Sequence, residues 1–101
     1  MGWVPGGNHT DPVAGKVLAE TGVYTSAGLS VYVSLVVGWS GTDPPQVILQ
    51  AGPHEQIFNP SQTPFVCPPV GPFYVGIGEA VRVVNRNAYV GELYVSLFIS
   101  P

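Results

Sequence analysis

The chain is predicted to be all-β, a single-domain antiparallel β-sandwich or jelly-roll barrel with an irregular N-terminal arm. Three observations lead there. Apolar residues recur at every second position along several short runs, the period of a strand with one buried face. Gly (13) and Pro (11) are scattered so evenly that no stretch carries a helical apolar stripe free of both. The apolar share, 46%, is rich in Val, Leu, Ile, Tyr and Phe, so the glycines and prolines punctuate a folding chain instead of diluting a disordered one. The 101 residues supply one core and one domain.

Residues 1–16, "MGWVPGGNHTDPVAGK", are assigned to the arm because Gly2, Pro5, Gly6, Gly7, Pro12 and Gly15 interrupt regular structure. Trp3 and Val4 at its tip suit an arm laid across a neighbouring surface, since an indole brings contact area with few rotatable bonds. A frayed tail is the other reading. The sandwich domain is assigned to 17–101. "VLAETGVY" (17–24) is a strand candidate interrupted by Gly22, and "LSVYVSLVVGWS" (29–40) alternates throughout. "GTDPP" (41–45) is a turn. "QVILQ" (46–50) and "EQIFN" (55–59) form a hairpin about "AGPH" (51–54). The prolines of "PSQTPFVCPPVGP" (60–72) restrict it to an edge or a loop. "FYVGI" (73–77) and "AVRVVN" (80–85) are expected to pair as a second hairpin. "RNAY" (86–89) then turns the chain into "VGELYVSLFIS" (90–100).

The phrase Tyr-Val-Ser-Leu occurs at 32–35 and again at 94–97. In the first copy Val31, Val33, Leu35, Val37 and Trp39 share one face; in the second Leu93, Val95, Leu97 and Ile99 do. Both faces belong against the core. The opposite faces read Tyr32, Ser34, Val36, Gly38 and Tyr94, Ser96, Phe98, Ser100, without the Lys, Glu, Thr or Arg of a solvated strand. Aromatic rings among small hydroxyls make a contact surface. If Tyr32, Val36, Tyr94 and Phe98 each lose about 80 Å² of apolar area on association, the gross gain is about 8 kcal/mol per subunit, partly offset by lost rigid-body freedom. The expectation is therefore a homo-oligomer, with cover by the arm or the proline-rich segment as the competing account. Arg82, isolated among valines, joins the candidate interface, since a lone Arg is a frequent anchor. The full candidate interface is Trp3, Val4, Tyr32, Val36, Arg82, Tyr94 and Phe98.

Charge excludes several functions. Charged residues make up 9% of the chain, against about 25% in an average domain. The net charge is -3, and Lys16, Arg82 and Arg86 are too few and too scattered to neutralise phosphates, so nucleic acid is rejected as a partner. The longest apolar stretch, 31–37, is broken by Ser34 and falls short of the ~20 residues that cross a bilayer, so no membrane is expected. The first residues lack the pattern of a secretory signal, and "NHT" at 8–10 is read as a chance match to a glycosylation triplet.

No catalytic, cofactor or metal site is expected. Cys67 has no second cysteine to bridge to, and one Cys with the distant His9 and His54 does not make a zinc site. Asp43, Glu55, Glu79 and Glu92 fall at turns or strand starts, where solvated carboxylates belong. Gly76-Ile77-Gly78 lacks the third glycine, the helix and the lysine of a phosphate loop. Trp3, Trp39 and the five tyrosines suggest a sugar-stacking platform as an alternative, with only Asp43 and the turn Asn85-Arg86-Asn87 to bond hydroxyls.

A small, charge-poor, helix-free chain with a Gly/Pro-rich arm and the closing segment "GEAVRVVNRNAYVGELYVSLFIS" resembles the capsid decoration, or cement, proteins of tailed bacteriophages. The resemblance is one of style across most of the chain and transfers no residue roles. It implies a sandwich or jelly roll that forms a homotrimer on the head shell, with the major capsid protein or another shell protein as partner. Such a protein is virion-borne, is assembled in the host cytoplasm and stabilises the shell by bridging capsomers. A tail or head–tail fitting is a related implication.

Overall fold

The computed structural model describes residues 2–25 and 28–101; Met1, assigned above to the arm, lies outside them. Among the described residues eight strands follow one another: β1 (Gly2–Thr10), β2 (Val17–Glu20), β3 (Leu29–Trp39), β4 (Val47–Ala51), β5 (His54–Phe58), β6 (Phe65–Val75), β7 (Val81–Asn85) and β8 (Glu92–Ser100). They form two four-stranded antiparallel sheets, the first ordered β1-β8-β3-β6 and the second β2-β7-β4-β5. Only β4 and β5 are neighbours both in sequence and in a sheet; every other connection passes from one sheet to the other. Eight strands wired this way are a jelly roll. The all-β sandwich expectation holds.

Two expectations give way. The segments at 73–77 and 80–85 are not a hairpin: β6 lies at the edge of the first sheet and β7 in the interior of the second. Short loops between alternating runs are compatible with either a hairpin or a sheet-to-sheet crossing, and sequence spacing does not separate the two. The arm is also not irregular along its length, because Gly2–Thr10 is an edge strand paired with β8 from Gly2↔Ile99 to Thr10↔Glu92. Proline is tolerated on such an edge. The register slips between Pro5 and Asn8, a bulge that takes up the Gly-Gly pair. A Cβ on Gly6 would overlap the carbonyl oxygens of Leu18 and Val95, so the close approach of β1 to β2 requires glycine there.

The core is the alternation of the strands made physical. Val31, Val33, Leu35 and Val37 of β3 and Leu93, Val95, Leu97 and Ile99 of β8 are buried, and face Leu18, Val47, Leu49, Val81 and Val83 of the second sheet. The hairpin β4–β5 turns at Gly52-Pro53 with Gly52 at φ 62°, the glycine-first geometry of a two-residue turn. β6 carries Pro68, Pro69 and Pro72 at an edge, as its prolines demand, and its register against β3 slips on either side of Val33. At one end of the sandwich the buried Asn85 donates its amide to the carbonyls of Pro12 and Val13, both at 3.0 Å, and so ties the β1–β2 loop to β7.

Candidate functional site

The outer face of the first sheet is built by register. Trp3 pairs with Phe98 and Phe98 with Ser34; Pro5 pairs with Ser96, Ser96 with Val36 and Val36 with Val66. Further along, Asn8 pairs with Tyr94 and Tyr94 with Gly38; at the other end Tyr32 pairs with Ser100 and Ser30 with Tyr74. Partners opposite each other in a sheet share a face. Among the described residues, the first ionisable carboxylate met along this face is Glu92, at its limit, opposite Thr10. Between Glu92 and Ser100 the face consists of rings, valines, prolines, small hydroxyls, Gly38 and one amide.

The rings are held in definite places. Trp3 meets Phe98 edge-on, with ring centroids 5.2 Å apart and planes at 61°, the arrangement favoured by the aromatic quadrupole. A Cβ on Gly38 would overlap the Tyr94 ring, so the ring lies over a buried glycine. Tyr74 covers Gly28 in the same way. Small residues beneath rings keep this surface low and flat. Trp3 remains 62% exposed, Tyr74 60%, Tyr94 41% and Tyr32 39%, while Phe98 and Val36 are half-buried. Among the described residues the arm does not lie over the face; it extends the sheet at one edge, where Trp3 meets Phe98.

Five of the seven candidate interface residues, Trp3, Tyr32, Val36, Tyr94 and Phe98, therefore share one surface. Val4 and Arg82 do not. Val4 pairs with Leu97 and packs against the core, because neighbours on a strand point to opposite faces and Trp3 takes the outer one. Arg82 is on the outer face of the second sheet, where its Nε lies 3.4 Å from a Glu20 carboxylate oxygen. Alternation within β7 gives Arg82 an outward direction but does not say which sheet β7 joins. Sequence reasoning missed Tyr74 and Val66, since the prolines around them (Pro68, Pro69, Pro72) draw attention to an edge and away from its outward side.

Several of the other polar residues are committed to structure. His9 Nε2 sits 3.0 Å from the Gly6 carbonyl and 3.1 Å from that of Leu18, so this nitrogen carries the proton and donates across the β1–β2 seam. An Asp11 carboxylate oxygen accepts from Gly91 N at 2.7 Å, and Glu79 accepts from Gly76 N at 2.6 Å. Arg86 and Asn87 both donate to Gln46 Oε1, at 2.8 and 2.7 Å. Burial pushes the Cys67 thiol above its ordinary range, because desolvation disfavours the thiolate. Burial likewise raises the Tyr89 phenol, whose hydroxyl donates to the Asp43 carbonyl at 2.7 Å beside a cleft of about 540 Å³ lined by the β3–β4 and β7–β8 loops. His54 and Glu55 are consecutive on β5, where neighbouring side chains point to opposite faces, and Asp43 lies in the loop between β3 and β4. The feature that stands apart is the uncharged aromatic face. Comparison of the chain with protein-family models, curated proteins and solved structures returns no significant match.

Proposed function

We propose that the chain is a non-enzymatic virion structural protein, a capsid decoration or cement protein, that associates through the outer face of its first sheet. The observation that carries this reading is the continuous uncharged surface from Trp3 to Val66 and Tyr74. A sheet face that meets water alternates apolar-in with polar-out, and contiguous apolar surface of a few hundred Å² marks an interaction site. Trp3, Tyr32, Tyr74 and Tyr94 each leave on the order of 100 Å² open. Together they offer about 10 kcal/mol gross at ~25 cal/mol/Å², against an association cost of about 4–15 kcal/mol. A single such contact is weak, and several copies about an axis or on a lattice reinforce one another. That is the working regime of a cement protein. The resemblance to decoration proteins supplies the setting: a homotrimer on a shell of major capsid protein. A tail or head–tail fitting would use the same face. Jelly rolls also serve as lectin domains, so the fold itself does not choose.

The test is mass in solution. Light scattering of the purified chain should give a multiple of 10.6 kDa. Tyr32→Lys combined with Tyr94→Lys should lower the mass by the number of copies meeting at the face, about threefold for a trimer, with an unchanged β circular-dichroism signature. A monomeric wild-type chain that binds glycans would overturn the proposal and favour the carbohydrate-binding alternative.

A further inference from the structure

A two-sheet sandwich has four edges, and here three are blocked. β1 and β2 close on each other, with Gly6 against the Leu18 carbonyl and His9 bonded across the seam. β6 holds Pro68, Pro69 and Pro72, which withhold ladder donors. β5 (His54–Phe58) contains no proline, and its first four side chains are exposed. Native proteins seldom leave such an edge unguarded.

Its backbone direction follows from the hairpin. Residues flanking a two-residue turn form a close hydrogen-bonded pair, and such pairs alternate with open ones. Ala51↔His54 flanks the turn, so Leu49↔Gln56 and Val47↔Phe58 are the other close pairs. The N–H and C=O groups of Glu55 and Ile57 therefore point away from β4, toward the open edge.

The second sheet's outer face says what fits there. Val17 pairs with Val84, Val84 with Ile48 and Ile48 with Ile57. This apolar row crosses all four strands and stops at Ile57, which is 47% exposed. A second copy turned about a two-fold axis presents the same edge in reverse. Three symmetric registers use the outward groups. One sets Glu55 against Glu55, which is repulsive, and one sets each Glu55 against an Ile57. The third sets Ile57 against Ile57 and Glu55 against Asn59, so that the apolar row runs unbroken through eight strands and the carboxylate meets an amide.

We propose that β5 is a self-complementary docking edge, pairing antiparallel with β5 of a second copy about a two-fold axis at Ile57. This contact is separate from the aromatic face, and the two are tested apart. In the Tyr32→Lys, Tyr94→Lys background, light scattering at high micromolar concentration should give about twice the 10.6 kDa monomer mass. Adding Ile57→Lys should halve it. Hydrogen exchange should show the Glu55 and Ile57 amides protected in that background and exposed once Ile57→Lys is present. Glu55→Pro, which removes an outward donor and spares the bonds to β4, should have the same effect on mass if Ile57→Lys impairs folding. A monomer in the starting background, or fast exchange at both amides, overturns the edge proposal and leaves the face proposal standing. A wild-type dimer untouched by the tyrosine changes but halved by Ile57→Lys supports the edge and overturns the face.

Discussion

A line across the first sheet from Trp3 through Phe98 to Ser34 meets two rings and a hydroxyl. A comparable line across the second, from Glu20 through Arg82 and Gln50 to Glu55, meets four polar groups, three of them charged. On that second sheet Glu20 and Arg82 pair at 3.4 Å and Gln50 donates to Glu55 at 2.9 Å. The apolar row Val17–Val84–Ile48–Ile57 lies beside this polar row, and Gln46 with Arg86 and Asn87 closes its other side. Both sheets present the same kind of inner surface, buried Val and Leu from alternate positions. What separates them is the half of each strand that the core does not constrain. The inner half makes the fold, and the outer half records what the sheet meets.

Substitutions at graded sites would break or sharpen that contrast. The largest effect on the isolated domain is expected from Phe98→Ala. Phe98 is half-buried and carries Trp3, so its loss should cost about 2 kcal/mol, below the range for a fully buried ring, in urea denaturation, and should also lower the oligomer mass. Gly38→Ala comes next. The new methyl must lift the Tyr94 ring, which costs about 1 kcal/mol; a cross-peak between Tyr94 and Gly38 protons should vanish from nuclear Overhauser spectra, and an unmoved ring would contradict the flat packing described for this face. Arg82→Ala is the smallest. Its partner is on the solvated sheet and both side chains are over a third exposed, so screening should hold the cost below about 1 kcal/mol. The mass should not change. A mass change there would erase the distinction between the two faces.

Much of the fold was legible. The strict alternation at 29–40 and 90–100 located β3 and β8, their buried sides and the unusual chemistry of the sides opposite, because period-two burial is a local property of the chain. Gly52-Pro53 between two short apolar runs gave the β4–β5 hairpin for the same reason. Sheet membership was not legible. β7 follows β6 after a short loop yet joins the other sheet, which sets Arg82 apart from the aromatic face. β1 was missed because its pairing draws on β8, over eighty residues away in the chain, as the Gly2↔Ile99 and Thr10↔Glu92 pairs show. Asn85 was read as a turn residue on offer to a ligand. Its register on β7 instead buries it, and its amide holds the Pro12 and Val13 carbonyls. Long-range partners decided each of these outcomes.

The place of β8 has a consequence for how the protein comes into being. Last of the eight in chain order, it lies inside the first sheet between β1 and β3. A ribosome releases the strands N-terminal first, so β1 and β3 emerge with a gap between them that only the final strand can fill. Apart from the β4–β5 hairpin, every ladder joins distant segments, a wiring that folds slowly. Through that interval the nascent chain carries the apolar inner side of β3 unsheltered, and cellular yield should depend on chaperone supply more steeply than the stability of the finished domain would suggest.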